Sequence, residues 1–183
     1  MENNPQTFNR TIPAYQGFSC DYYDRLIIRQ ACADDLPQLC ELLALLFSQE
    51  VDFHPDTRKQ ERALQLLLDR PEFGCLYCAT DGNRLAGMVS ILFICSVIAG
   101  GFAAYLEDMI VRPECQGRGI GGRLLREAIK GARSSGCERI TLLTDETNSK
   151  AIRFYEQEGF SHPQKVPLRF RVSKTIPILH VCL

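Results

Sequence analysis

Residues 106–122 read LEDMIVRPECQGRGIGG, and the rest of the chain is organised around them. A strand-like run passes through Arg112 and Pro113 into a glycine-rich turn, and helical periodicity follows, with Leu124, Leu125, Ala128 and Ile129 apolar. A turn that opens a helix is a ready anion site, because the unpaired amides of the first helical turn point outward and carry partial positive charge. Gly117, Gly119, Gly121 and Gly122 are expected to allow positive φ and close approach. Arg112, Arg118 and Arg123 bracket them with fixed charge. The simplest ligand is a phosphate or pyrophosphate. Glu107 and Asp108 lie upstream on the strand, so an acid/base candidate and a phosphate cradle stand close together in sequence.

The chain has 183 residues, enough for one full core or one domain with an extension. Residues 1–24 are polar and not a secretory signal; they are expected to be a flexible arm or a cap on a neighbour, with the domain at 25–183. Net charge is −1, so no global field recruits nucleic acid, and no nucleic-acid partner is expected. The nine cysteines are odd in number and scattered, and Cys40, Cys75, Cys78 and Cys95 sit in apolar runs as buried hydrophobes would. That usage fits a reducing cytosol and a cytoplasmic protein. Residues 85–106 carry no charge and are long enough to span a membrane, but Gly100 and Gly101 split them and β-branched residues favour two buried strands. No membrane partner is expected.

In chain order, the pattern predicts a strand at 25–30 and a helix capped by Asp34 or Asp35 with Leu36, Leu39, Leu42, Leu43 and Leu46 inward. A helix at 56–70 follows, with Ala63, Leu64, Leu67 and Leu68 apolar, then strands at 73–80, 84–96 and 102–111. After the glycine turn come a helix at 120–135, a strand at 138–144, a helix at 149–158, and closing strands at 164–172 and 178–181. This is an α+β, or mixed α/β, domain.

The turn matches the dinucleotide fingerprint literally, as Gly117-x-Gly119-x-x-Gly122, with Asp145 and Glu146 at tolerable spacing. Its context argues otherwise: five residues with Pro113 separate strand from glycine, hairpins precede it, and too little chain follows for a second half. Gln116-Gly117-Arg118-Gly119-Ile120-Gly121 instead resembles the acyl-coenzyme-A turn of the GNAT superfamily of N-acyltransferases. Residues 148–160, NSKAIRFYEQEGF, resemble that family's second signature. The LED stretch is also similar to that of the spermidine/spermine acetyltransferases, although many small-amine acetyltransferases share it.

The resemblance implies a GNAT-like fold: a mostly antiparallel twisted sheet, splayed between its fourth and fifth strands, flanked by about four helices. It implies an acetyl-CoA-dependent N-acetyltransferase acting on a primary amine of a small molecule or peptide, with acetyl-CoA as cosubstrate and no metal. The pyrophosphate would meet the amides of Gln116, Gly117, Arg118, Gly119, Ile120, Gly121 and Gly122, with Arg118 or Arg123 adding charge. The backbone of Met109, Ile110 and Val111 would pair with the pantetheine arm, and a strand amide near Met109 would hold the oxyanion. Asn148 would contact the coenzyme, and Tyr155, two helical turns on, would give a proton to the leaving thiolate. Dimerisation is common in the family, so a homodimer is compatible with the resemblance.

Glu107 and Asp108 are adjacent in a strand and face opposite sides unless a bulge intervenes, which a splaying strand makes plausible. Glu107 is favoured as the base, with Asp108 as fallback or substrate-side support. His54 lies beside the expected acceptor cleft and is a candidate substrate contact. Cys75-x-x-Cys78 puts its sulfurs on opposite strand faces, and the three histidines are dispersed, so packing explains them better than a metal. Two other readings remain open: a non-catalytic acyl-CoA sensor with the same cradle, and the dinucleotide-binding protein.

Overall fold

A computed structural model describes residues 26–48, 56–164 and 167–168. They fall into two compact units, one within Met1–Leu143 and one within Thr144–Leu183. The first unit holds a five-stranded sheet in the order β1-β2-β3-β4-β5, formed by Ile27–Gln30, Gly74–Thr80, Leu85–Ser96, Gly101–Val111 and Cys137–Leu142. The first three pairings are antiparallel and β4 pairs β5 in parallel. Helices α1 (Leu36–Phe47), α2 (Thr57–Asp69) and α3 (Ile120–Ser134) belong to this unit, and α4 (Ser149–Gln157) to the second.

The apolar run at 85–106 is thus a β-hairpin turning at Gly100, whose φ is +62°. Among the described residues no helix is long and apolar enough to cross a membrane. Of the described strands, only β4 and β5, joined through α3, form a parallel pair, whereas the dinucleotide reading needs a succession of parallel βαβ units. Asp145, the acid that reading would turn toward a ribose, instead accepts from the Thr147 amide at 2.8 Å and hydroxyl at 2.7 Å. Of the expected closing strands, only residues 164, 167 and 168 are described, and they are irregular.

The two sheet faces carry separate packing. Leu39, Leu42 and Leu43 of α1 and Leu64 of α2 bury against Leu76, Cys78, Met88 and Ile110. The α2 face differs from expectation at one place: Ala63 is exposed, and Gln60, one turn before Leu64, is buried in its stead. On the other face α3 buries Leu124, Leu125, Ala128 and Ala132. Gly131 lets α3 sit against the sheet there: a Cβ on it would stand 2.0 Å from the Tyr77 hydroxyl. Cys75 and Cys78 are buried, as expected, with their thiols pushed up by burial. Cys95, near the hairpin tip, is exposed rather than buried.

A charge pair anchors the entry to α1. Arg29 donates to both carboxylate oxygens of Asp35 at 2.6 and 2.8 Å, and the Cys32 amide donates to Asp35 at 2.8 Å. These bonds hold the Asp35 carboxyl down to about 2, the Arg29 contact contributing most. The folded value lies below the unfolded one, so the contribution is full above about pH 4 and is lost as pH falls toward 2. It is expected to be worth about 1–2 kcal/mol, allowing for the solvent-screened arginine. In acid unfolding followed by circular dichroism, Asp35→Asn should lose that much stability at pH 7 and converge on the native protein near pH 2. Parallel curves at every pH would remove the pair from the account.

Candidate active site

β4 leaves β5 partway along its length. The parallel pairing runs from Phe102 to Leu106, opposite Leu142, whereas β4 continues against β3 to Val111. β5 ends at Leu142, so from Glu107 onward no described strand pairs with that edge of β4. At the same place the register against β3 slips: Val89 faces Met109, but Ile91 faces Leu106. Ser90 alone thus stands opposite both Glu107 and Asp108, a two-against-one β-bulge. Glu107 is exposed and Asp108 half-buried. The Asp108 amide donates to the Ser90 hydroxyl oxygen at 2.9 Å, and that hydroxyl donates to the Asp108 carboxylate at 3.0 Å. Sequence reasoning passed over Ser90; its signal was a lone hydroxyl inside an apolar strand.

Beyond Val111 the chain is pinned before it turns. Arg112 is buried; its Nε donates to the Leu85 carbonyl at 2.8 Å and its Nη2 to Glu41 at 2.9 Å. It is a structural cation, not one of the charges around an anion. Pro113–Cys115 forms a short 3-10 turn, tied by the Arg84–Glu114 ion pair at 3.0 Å and by the buried Cys115. Burial raises the Cys115 thiol, so it is a poor reporter of a ligand at the turn. The Gln116 side chain donates to the Val111 carbonyl at 3.0 Å, and its amide donates to the Pro113 carbonyl at 3.2 Å. The Gln116 amide therefore has a partner inside the protein.

Gly117 and Gly119 both have φ of +75°, the left-handed region that glycine tolerates. Among the described residues a Cβ at either position would meet nothing within 4 Å beyond its own chain neighbours, so what requires glycine here is the backbone conformation. Gly119 caps α3 without a side chain, and the first helical bond runs from the Arg123 amide to the Gly119 carbonyl. The amides of Ile120, Gly121 and Gly122 consequently have no intrahelical acceptor. Gly121 and Gly122 are helical and not at positive φ, unlike the expectation for them. Arg123 donates to the Leu26 carbonyl and so tethers the approach to β1. Arg118 is exposed on the turn.

The second unit carries Asn148 and Tyr155. Asn148 is the N-cap of α4: its Oδ1 accepts from the Ala151 amide at 3.1 Å. It stands just before the helix rather than on its face, and the cap leaves its Nδ2 group as the donor end. Tyr155 is set by the helix C-terminus. The Phe160 amide donates to the Tyr155 carbonyl at 3.0 Å, and the Gly159 amide to the Glu156 carbonyl at 3.0 Å, with Gly159 at φ +96°. This is a Schellman ending, and its usual apolar contact is the Phe160 ring edge-on to Tyr155 at 5.7 Å. Phe154 meets the same ring at 5.1 Å. Burial holds the Tyr155 phenol above the ordinary tyrosine value. His54 lies outside the described residues.

Residues 36–160 match the acetyltransferase (GNAT) family. Among curated proteins, the chain is 28% identical over 150 residues to an uncharacterized N-acetyltransferase of Methanocaldococcus jannaschii, covering 81% of this chain and 66% of that protein. It is 27% identical over 143 residues to the thialysine N-epsilon-acetyltransferase of Sus scrofa, covering 73% of this chain and 83% of that one. The fold matches the solved structure of a possible acetyltransferase from Clostridium difficile 630 with a TM-score of 0.73 at 17% identity, over 81% of this chain and 98% of the other.

Proposed function

Because the chain belongs to the GNAT family of N-acetyltransferases, we propose that it moves an acetyl group from acetyl-coenzyme A directly onto a primary amine of a small molecule or peptide. The observation that carries this reading is the turn itself. Two left-handed glycines feed a helix whose first amides lack intrahelical acceptors, one short turn beyond a strand that bears adjacent carboxylates. The diphosphate of the carrier lies on the amides from Gly117 to Gly122, with Arg118 adding charge. The pantetheine arm adds as a strand along Met109, Ile110 and Val111. Asn148 contacts the coenzyme through its amide donors.

An alkyl ammonium with a reference pKa of about 10.4 is almost wholly protonated at pH 7 and cannot attack. Glu107, at the solvent side of the bulge, takes its proton directly or through water. The neutral nitrogen then adds to the thioester carbonyl. The carbon–sulfur bond breaks, Tyr155 protonates the departing thiolate, and the remaining extra proton on the nitrogen passes through water to the Tyr155 phenolate, which leaves a neutral amide and a neutral acid. A phenol held high by burial stays protonated at neutral pH and suits that role. Asp108 supports the acceptor side. The seven described cysteines are free thiols, in keeping with a reducing, cytoplasmic setting.

The name of the thialysine relative puts a side-chain amine in that protein's acceptor site, and this supports starting with flexible primary amines. The test follows free thiol release from acetyl-coenzyme A against polyamines, thialysine and other amino acids, aminoglycosides and peptide N-termini. Amine-dependent release with matching N-acetyl product supports the proposal. Tight coenzyme binding with no product from any amine would favour a non-catalytic sensor.

A further inference from the structure

Side chains on β4 count differently from its two ends. Ile110 packs with α1 and α2, so counting back by alternation puts Met109 on the opposite face and Asp108 on the α1–α2 face. Leu106 pairs with Ile91, which is in register with Cys75 and so on the Tyr77 side of the sheet, where α3 packs. Counting forward from Leu106 therefore puts Glu107 on the α1–α2 face too. Both counts are satisfied only because one residue is inserted between them, opposite Ser90. The bulge is what lets two neighbouring carboxylates share one face.

An inserted residue disrupts the ladder locally, and an amide there needs another acceptor. Ser90 supplies it. Its side chain is 1% exposed, points to the same face as Asp108 by register with Leu76, and closes a ring from Asp108 amide to Ser90 oxygen to Asp108 carboxylate. Alanine at this position would leave a half-buried amide without that acceptor and the carboxylate without that donor. The freed amide then has to turn to water or another acceptor, which loosens the bulge and lets Glu107 leave its place.

We propose that Ser90 is a positioning residue of the acceptor site: its hydroxyl locks the β4 bulge and thereby fixes Glu107 and Asp108 on one side of the sheet. The catalytic half of this statement rests on the acetyltransferase reading above; the lock itself does not. Ser90→Ala is expected to lower kcat by about tenfold to a hundredfold through misplacement of the base. The KM for acetyl-coenzyme A should stay within about twofold, because the glycine turn and the pairing of Met109–Val111 with Gly87–Val89 both lie outside the bulge. The pH profile of kcat should change in shape, because the base no longer faces the acceptor amine. Ser90→Thr keeps the hydroxyl and should restore most of the rate. Ser90→Cys, with nearly the same volume and a weaker acceptor, gives the same direction of loss if the alanine variant does not fold.

Amide hydrogen exchange at Asp108 is measured on the same proteins and needs no substrate. Protection should be present in the native protein and in Ser90→Thr and be lost in Ser90→Ala. Unchanged exchange and unchanged kcat in Ser90→Ala would overturn the proposal. Lost protection with an unaltered rate and pH profile would show that the lock exists but positions nothing. Should the native protein acetylate no amine at all, the failure belongs to the acetyltransferase reading, and exchange at Asp108 still decides the lock.

Discussion

Acetyl-coenzyme A should bind the double variant Gly117→Val, Gly119→Val about a hundredfold more weakly than the native protein, or not measurably. Each glycine sits at φ +75°, where a side-chain-bearing residue costs about 1–3 kcal/mol, and β-branched residues are the worst placed there. The valines have a way out, because among the described residues nothing beyond the chain neighbours lies within 4 Å of either Cβ. The backbone can swing to negative φ, which turns the amides away from the ligand. Most of the cost then falls on binding, with only a small drop in melting temperature. Gly119→Asn is the control: asparagine tolerates the left-handed region, so it should retain binding within about tenfold despite its added bulk. If titration calorimetry finds the double variant binding as well as the native protein, the turn is not the phosphate site.

Replacing Tyr155 by phenylalanine should cost about a hundredfold or more in kcat at neutral pH, the range expected for loss of a positioned general acid. Coenzyme affinity should be unaffected. The ring contacts with Phe154 and Phe160 need no hydroxyl, so α4 and its capped end should persist. The pH dependence separates an acid from a packing residue. A leaving thiol with a pKa of about 8.5 departs well unaided above that pH. The deficit of Tyr155→Phe should therefore shrink as pH rises past 8.5, while the native phenol, held above its ordinary value by burial, remains protonated. A variant that turns over normally from pH 6 to 9 would remove Tyr155 from the mechanism, and a deficit that is flat in pH would make it a structural residue.

Elements written in local signals were legible in the sequence. Asp56 caps α2, Gly136 and Gly159 end their helices at positive φ, and the 81–83 turn closes through Asp81, which accepts from the Asn83 and Arg84 amides. Each depends on neighbours a few residues apart. The glycine turn that opens α3 was legible for the same reason. What was not legible depends on distant partners. Arg112 reads as a phosphate cation until Glu41 and the Leu85 carbonyl, far off in sequence, claim it. Arg123 is likewise taken by Leu26 at the approach to β1. The bulge could be anticipated from two adjacent carboxylates beside a splay, but not its lock, because Ser90 lies on another strand. Asn148 is a different case: an asparagine directly before a helix is a local cap signal, whereas counting seven residues to Tyr155 as two helical turns puts it on a shared helix face, and the helix starts one residue later.

The account stands on main-chain amides holding the diphosphate of the acyl carrier. The most direct measurement is amide exchange, residue by residue, with and without saturating acetyl-coenzyme A. Protection should appear at Gly117, Gly119, Ile120, Gly121 and Gly122 and extend along the end of β4. Protection confined to other surfaces, or none at saturation, would contradict it.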